Sequence, residues 1–247
     1  MSLLDGKNIL LIICGGIAAF KVLELIRRLK NLNANLIPVM TPSAKNFVTE
    51  MSVACLSGSK VYSELFDLTD ETEIGHIRLA QSADIILVAP ATADFMAKVA
   101  AGMCSNLAET IVAAASCKVV MIPAMNVKMW DKKANQRVIS TLKGDGFDFI
   151  GPSSGEMACG DFGDGRFEDV EVIQEYVKQY FRPKKLEGKR VLVTSGSTLE
   201  IIDPVRFISN RSSGRQGVEI AIALNSLGAE VIFVSGPSMV QPPHVSK

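Results

Sequence analysis

The sequence lacks an excess of charge of either sign and has few aromatic side chains. Lys and Arg together number 26, as do Asp and Glu, and Phe, Trp and Tyr make up 6% of the 247 residues. A surface that binds nucleic acid would be expected to show a basic excess and aromatic side chains for base stacking. The composition therefore argues against a nucleic-acid partner and favours a small-molecule ligand.

Long apolar runs and paired cysteines are also missing. The longest apolar region, residues 107–125, is interrupted by Glu109, Lys118 and Pro123, and residues 9–13 are too few to span a membrane. No N-terminal segment resembles a signal peptide. The five cysteines form no CxxC pair, which argues against a disulfide framework and a zinc site. We therefore expect a cytoplasmic protein with no membrane partner and no bound metal in its first domain.

What the sequence does contain is an alternation of short apolar runs with helical patterns. Runs of Val and Ile without polar alternation predict strands that are covered on both faces, at residues 8–14, 35–40, 85–89 and 118–122. Apolar residues at helical spacing predict helices at residues 18–30, 93–100, 107–115, 133–142 and 169–181. The pattern predicts a doubly wound, Rossmann-like α/β domain with a parallel sheet.

A polar stretch at residues 182–188, which contains Pro183, predicts a linker after a first domain of residues 1–181. A strand at 190–194, a helix at 216–227 and a strand at 230–235 then begin a second α/β domain. This second domain, residues 189–247, has too few strands for a complete doubly wound nucleotide site, so we expect it to be incomplete.

Several predicted strands end in loops of small and polar residues, where ligands collect in this class of fold. Gly15, Gly16 and Ile17 follow the first strand, and glycine at a helix N-terminus suits either a bound phosphate or an ordinary tight turn. Further candidates follow the other strands, namely Thr41 and Ser43, Thr92, Ala93, Asp94 and Phe95, and Ala124 and Asn126. Any one loop could simply cap a helix, but together they predict the rim of one pocket.

Two residues stand out as candidates for proton transfer. His76 is the single histidine of the predicted first domain, although a lone histidine is more often structural than catalytic. Cys159 lies in residues 151–167, which contain five glycines and no periodicity and are predicted to form a long functional loop. It could donate a proton, act as a nucleophile or be incidental. The other four cysteines are predicted to be small buried side chains.

These residues resemble a known family. Five segments match, in chain order, the motifs of the homo-oligomeric flavin-containing cysteine decarboxylases, at residues 15–21, 75–77, 90–94, 123–126 and 158–161. Residues 203–214 resemble phosphopantothenate–cysteine ligase. The two together resemble the bifunctional coenzyme A biosynthesis proteins of bacteria. Arg78 and Ser82 stand where the decarboxylases usually have Glu and Trp, and Leu199 stands where the ligases usually have Arg.

The resemblance implies roles that spacing alone does not supply. His76 would act as the base, Asn126 would hold the substrate carboxylate and amide, and Cys159 would donate a proton. FMN would bind the strand-end loops, and the reaction would convert 4′-phosphopantothenoylcysteine to 4′-phosphopantetheine. Arg206 and Asn210 would contact substrate in the ligase part, which uses CTP and Mg²⁺ when complete. The family also implies a homo-oligomer, either a trimer or a dodecamer of four trimers.

Three other functions are weighed against this one. A peptidyl-cysteine decarboxylase shares the flavin fold, but the ligase-like segment would make the substrate of the first domain rather than a peptide. A non-catalytic regulatory flavoprotein would tend to lose the histidine or the cysteine, and both are present. A nicotinamide dehydrogenase would need a GxGxxG motif and an acidic residue at the end of the second strand, and the sequence has neither.

Overall fold

A computed structural model describes residues 3–65, 75–157, 160–243 and 245, and describes His76 by its backbone only. The chain divides into two compact units, Met1–Lys178 and Gln179–Lys247. In the part of the chain that the structure describes, no helix is long and apolar enough to cross a membrane. The same residues contain no group of three or more side chains suited to hold a metal ion.

The first unit is built on a parallel sheet whose strands follow the order β2-β1-β3-β4-β5. The strands are β1 (Asn8–Ile13), β2 (Asn35–Met40), β3 (Ile85–Ala91), β4 (Lys118–Pro123) and β5 (Asp148–Phe149). Residues Ile9 to Ile13 are fully buried, as expected for a strand with helices on both faces. The predicted doubly wound α/β fold is confirmed.

Helices cover both faces of this sheet. In chain order they are α1 (Ala19–Asn31), α2 (Glu50–Ser57), α3 (His76–Ser82), α4 (Ala93–Ala100), α5 (Leu107–Ala113), α6 (Val127–Trp130), α7 (Lys133–Gly144) and α8 (Val170–Phe181), with a 3₁₀ helix at Pro42–Asn46. The predicted helices agree with these to within a few residues. Helix α1 buries Val22, Leu25, Ile26 and Leu29 at the 3–4 residue spacing that identified it in the sequence.

Two predictions about the first unit were wrong. Residues 151–167 are not an irregular loop, because β6 (Ser153–Glu156) and β7 (Phe162–Arg166) pair as an antiparallel hairpin. The four other cysteines are not uniformly buried, since Cys14 is buried, Cys117 is half-buried, and Cys55 and Cys104 are exposed. Both exposed cysteines lie in short segments whose apolar pattern is weak.

The second unit pairs β8 (Arg190–Ser195) with β11 (Glu230–Ser235) in parallel, and α9 (Arg215–Ser226) connects back to β11. A small antiparallel hairpin of β9 (Leu199–Ile201) and β10 (Phe207–Ser209) precedes α9. Its core is small: Val193, Ala221, Ala229 and Val231 are the buried members. The strand–helix–strand unit was predicted from the sequence, whereas the β9–β10 hairpin was not.

Candidate functional site

A cavity of about 720 Å³ opens at the carboxyl edge of the parallel sheet in the first unit. In the order β2-β1-β3-β4-β5 the strand order reverses between β1 and β3, although both strands are parallel, and ligands bind at this switch point in doubly wound folds. The cavity is lined by the loops that follow β1, β3 and β4, by Ser43, and by the β6–β7 hairpin. Its volume lies within the usual range for small-molecule sites, about 300–1,000 Å³.

The loop after β1 forms one wall through its backbone. Gly15 is packed so tightly that an added Cβ would lie 2.5 Å from the Cβ of Ser43. Gly16 is more open, since the nearest atom to an added Cβ is the Cγ2 of Thr92 at 3.9 Å. Among the described residues, no acceptor is found for the backbone N–H groups of Gly15, Gly16 and Ile17. These N–H groups lie just ahead of α1, where the helix dipole favours an anion.

The two hydroxyls after β2 have different positions. Ser43 lines the cavity, whereas Thr41 does not and is only 6% exposed. The Thr41 hydroxyl donates to the carbonyl of Ile13 at 3.3 Å and lies 3.3 Å from the Ser43 hydroxyl. Thr41 therefore supports Ser43 from behind the cavity wall.

The loop after β3 supplies Thr92, Ala93 and Asp94 to the cavity. The Thr92 hydroxyl accepts a hydrogen bond from the N–H of Phe95 at 3.2 Å and so caps α4. The side chain of Phe95 is 3% exposed and packs in the core beneath the site. The structure thus brings three of the four predicted residues into the cavity and turns the fourth away from it.

Cys14 lies at the base of this wall and is not a nucleophile. Burial raises the pKa of its thiol far above the ordinary value, and a hydrogen bond from the backbone N–H of Thr92 counteracts only part of that effect. The thiol therefore stays protonated at neutral pH. Cys14 behaves as a small apolar residue that joins the β1 loop to the β3 loop.

The loop after β4 supplies Ala124, Met125 and Asn126. The Asn126 side chain caps the short helix α6, because its Oδ1 accepts from the N–H of Lys128 at 2.8 Å. Its Nδ2 donates to the Oδ2 of Asp161 at 2.6 Å. The amide of Asn126 therefore has a fixed orientation at the edge of the cavity.

The β6–β7 hairpin covers the cavity on this side, and the sequence pattern did not predict it. Gly165 has φ 139° and an added Cβ there would meet the carbonyl oxygen of Met125, so the two backbones touch. The N–H of Met125 donates to the carbonyl of Gly165 at 2.9 Å. The hairpin brings further side chains to the cavity, namely Glu156, Met157, Arg166 and Phe167.

Other cavity residues were also missed in the sequence. Phe20 and Lys21 reach the cavity from the first turn of α1, and Met129 reaches it from α6. Lys21 lies over the Phe167 ring, with its Nζ 6.0 Å from the ring centroid. The sequence contained a signal for Phe20 and Lys21, since they lie within four residues of the end of the glycine loop at residues 15–17. No comparable signal marked Met129.

His76 and Cys159, two of the three predicted catalytic residues, lie outside what the structure describes in side-chain detail. His76 is the first residue of α3, which ends at Ser82. At the amino edge of the sheet, the Nδ2 of Asn8 donates to the carbonyl of Ser82 at 2.9 Å. His76 lies at the other end of this helix from Ser82, about 10 Å away for seven residues. Cys159 itself is among the residues that are not described.

In the second unit, Arg206 and Asn210 flank β10 and are exposed. The Nε of Arg206 lies 2.7 Å from the Oδ2 of Asp203. The Asp203 pKa is lowered, first by a hydrogen bond from the N–H of Val205 and then by Arg206. Asn210 accepts from the N–H of Ser212 at 3.1 Å. Arg206 is thus held by the turn between β9 and β10, and Asn210 by a turn that follows β10.

Two protein-family models match this chain, one in each part of the sequence. The flavoprotein family model matches residues 2–182. The model described as the DNA/pantothenate metabolism flavoprotein C-terminal domain matches residues 186–247. The coenzyme A biosynthesis bifunctional protein of Vibrio vulnificus is 46% identical over 100% of this chain, and that of Escherichia coli is 44% identical over 99%. The chain spans 62% and 61% of the length of these relatives.

Solved structures are also similar to a large part of this chain. A PPC decarboxylase variant complexed with pantothenoylaminoethenethiol is 28% identical, with a TM-score of 0.62 over 71% of this chain and 98% of that one. The FMN binding protein AtHal3 is 29% identical, with a TM-score of 0.60 over 70% and 96%. The peptidyl-cysteine decarboxylase EpiD is 25% identical, with a TM-score of 0.59 over 69% and 98%.

A family model that covers residues 2–182, together with the doubly wound fold and the cavity at its switch point, shows that this chain belongs to the flavoprotein family.

Proposed function

We propose that the first unit binds FMN in the 720 Å³ cavity and decarboxylates the cysteine end of 4′-phosphopantothenoylcysteine, giving 4′-phosphopantetheine. The observation that carries the proposal is the convergence of the strand-end loops on this one cavity, with Asn126 oriented at its edge. Two relatives support the reaction and its pathway. One is the PPC decarboxylase variant, and the other is the coenzyme A biosynthesis bifunctional protein.

The residues of the cavity fit FMN, which combines a flat ring system with a phosphate. The phosphate would lie against the N–H groups of Gly15, Gly16 and Ile17, which have no acceptor among the described residues. Ser43 and Thr92, which carry hydroxyl groups, line the same cavity. Apolar side chains suited to a ring system line the rest of it, namely Ile17, Phe20, Met125, Met129, Met157 and Phe167.

Residues of the chain then position and protonate the substrate. FMN would supply hydride-transfer chemistry when bound. Asn126 holds the substrate carboxylate through its oriented amide. His76 takes the proton that leaves the substrate thiol, and Cys159 donates the proton that completes the product. Both roles rest on the family resemblance, since neither side chain is described.

The alternative functions have less support. The likeness to the peptidyl-cysteine decarboxylase EpiD covers 69% of this chain. The match of residues 186–247 to the pantothenate metabolism domain adds a feature that a peptide-modifying enzyme does not need. No described residue favours a purely regulatory flavoprotein. The small-molecule decarboxylase is therefore the better account.

The experiment is to load the purified chain with FMN and supply 4′-phosphopantothenoylcysteine. We expect a flavin absorbance spectrum and the release of CO₂, with much slower release from a peptide that ends in cysteine. A protein that cannot be loaded with FMN would contradict the proposal. Faster release from the peptide would instead support the peptidyl-cysteine alternative.

For the whole chain we further propose a homo-oligomer built from trimers. Ile17 and Phe20 line the cavity and are 62% and 57% exposed, and Phe162 on the hairpin is 76% exposed. Apolar side chains at the mouth of a site are expected to be covered by a neighbouring subunit. Light scattering during gel filtration checks this. A monomer at micromolar concentration would contradict it.

The second unit, we propose, contributes Arg206 and Asn210 to the binding of substrate in a CTP- and Mg²⁺-dependent ligase. Its two parallel strands cannot form both walls of a crevice between diverging strands, which a nucleotide site of this fold class requires. We therefore expect this chain, assayed by itself, to lack ligase activity.

A further inference from the structure

The nitrogen and the oxygen of the Asn126 side-chain amide each have a hydrogen-bond partner that suits only that atom. The Asp161 carboxylate accepts from Nδ2 at 2.6 Å, and the Lys128 N–H donates to Oδ1 at 2.8 Å. An ionised carboxylate can only accept, and a backbone N–H can only donate. Both contacts require the same orientation of the amide. A 180° rotation that exchanged Nδ2 and Oδ1 would therefore break both hydrogen bonds.

Asp161 is held in place independently of this contact. Its carbonyl accepts from the N–H of Met157 at 2.9 Å, across the turn of the β6–β7 hairpin. The hairpin is itself attached to the Asn126 loop, through the hydrogen bond from Met125 to Gly165. An added Cβ at Gly163 would lie 2.7 Å from the Cγ2 of Val127, which shows a second close approach. The hairpin can therefore keep its position when the carboxylate is removed.

From these contacts we propose that Asp161 is a positioning residue for the decarboxylation. Its carboxylate fixes and polarises the amide of Asn126, which in turn holds the substrate. The inference rests on the proposed function of this cavity. Without Asp161, Lys128 still holds Oδ1, but Nδ2 loses a charged acceptor and the terminal torsion of the amide is broad. Substrate would then meet an amide whose orientation varies.

The chain offers a matched control for this proposal. Asp164 lies on the same hairpin, carries the same charge, is exposed and is not among the residues that line the cavity. We expect Asp161→Asn and Asp161→Ala to lower kcat/KM for CO₂ release tenfold to a hundredfold, a range of about 1.4–2.7 kcal/mol. FMN affinity should change less than twofold. Asp164→Asn should leave both quantities unchanged.

A double-mutant cycle tests whether Asp161 acts through Asn126. In an Asn126→Ala background, Asp161→Asn should cause no further loss beyond twofold, because the amide that it orients is absent. Losses that multiply in the double variant would show that Asp161 acts on the substrate by another route, and would overturn the proposal. Parental activity in Asp161→Asn would overturn it as well.

A second measurement does not depend on activity. With ¹⁵N-labelled asparagine side chains, the Asn126 amide signals are identified by their loss in Asn126→Ala. We expect Asp161→Asn to shift both proton signals and Asp164→Asn to leave them in place. Unchanged signals in Asp161→Asn would overturn the positioning role. A parent chain that releases no CO₂ would instead contradict the proposed function. The NMR result would still show whether Asp161 contacts the Asn126 amide.

Discussion

Replacing Gly15 with Ala tests how the cavity wall is built. An added Cβ at Gly15 would lie 2.5 Å from the Cβ of Ser43, 2.6 Å from its Oγ and 2.7 Å from its backbone carbonyl carbon. The serine side chain could rotate, but the backbone carbon cannot. The variant therefore forces the β1 loop away from the 3₁₀ helix at Pro42–Asn46.

The cost follows from the size of this movement. Non-bonded carbon atoms pack best at about 3.5–4.0 Å, whereas the two Cβ atoms would be 2.5 Å apart, so Ser43 or Gly15 must move by roughly 1.0 Å at least. Overpacking of this kind usually costs about 1–3 kcal/mol of unfolding free energy. With an m-value of about 2 kcal/mol per molar urea, a loss of 2 kcal/mol lowers the unfolding midpoint by about 1 M.

The assay uses the fluorescence of Trp130, which is the single tryptophan of the chain and lies in the first unit. It reports the unfolding of that unit in urea without interference from the second unit. FMN-free protein is used, since bound flavin would stabilise the fold and quench the signal. In a separate titration, Gly15→Ala should also bind FMN more weakly, because the displaced loop carries the N–H groups of the cavity wall.

Gly16→Ala is the matched control, because the nearest atom to its added Cβ is the Cγ2 of Thr92 at an ordinary 3.9 Å. Its unfolding midpoint should stay at the parental value or rise slightly, since alanine restricts the unfolded chain. Equal midpoints for Gly15→Ala and the parent would refute the close packing against Ser43. An equal loss in both variants would show that the loop, rather than this contact, determines the effect.

Three further outcomes are expected. His76→Asn should keep FMN bound, measured by absorbance, but abolish CO₂ release, because Asn cannot take a proton near neutral pH; wild-type release would remove His76 from the mechanism. Cys159→Ser should still release CO₂ but accumulate a product two mass units below 4′-phosphopantetheine, since a serine hydroxyl is far less acidic than a thiol of pKa about 8.5; normal product in mass spectrometry would make the cysteine structural. With 4′-phosphopantothenate, cysteine, CTP and Mg²⁺, the chain should release no pyrophosphate above the enzyme-free control.

The regular parts of the fold followed from the sequence because apolar periodicity reports burial. Strand β2 at Asn35–Met40, helix α4 at Ala93–Ala100 and strand β11 at Glu230–Ser235 have the predicted limits. Helix α2 was missed, because Glu50–Ser57 buries only Val53 and Ser57 and shows little amphipathic pattern. Periodicity predicts an element only where one face is consistently apolar.

The loops of the site could be placed from the sequence as well, since parallel strands bring their carboxyl ends to one edge. Which side chains enter the cavity was decided by packing. Ser43 faces it while Thr41 bonds back to Ile13, and Thr92 faces it while Phe95 joins the core. A residue's position after a strand does not determine the direction of its side chain.

The β6–β7 hairpin and the hydrogen bond between Asn126 and Asp161 depend on contacts between segments that are distant in the chain. The hairpin has no alternating apolar pattern, because backbone contacts at Gly163 and Gly165 hold it against the Asn126 loop rather than a buried side-chain face. Asn126 and Asp161 are 35 residues apart, and nothing in either local sequence indicates the other. The local sequence was enough to predict the sheet, its carboxyl edge and the residue types available there. The contacts that orient those residues form between segments that meet only when the chain has folded.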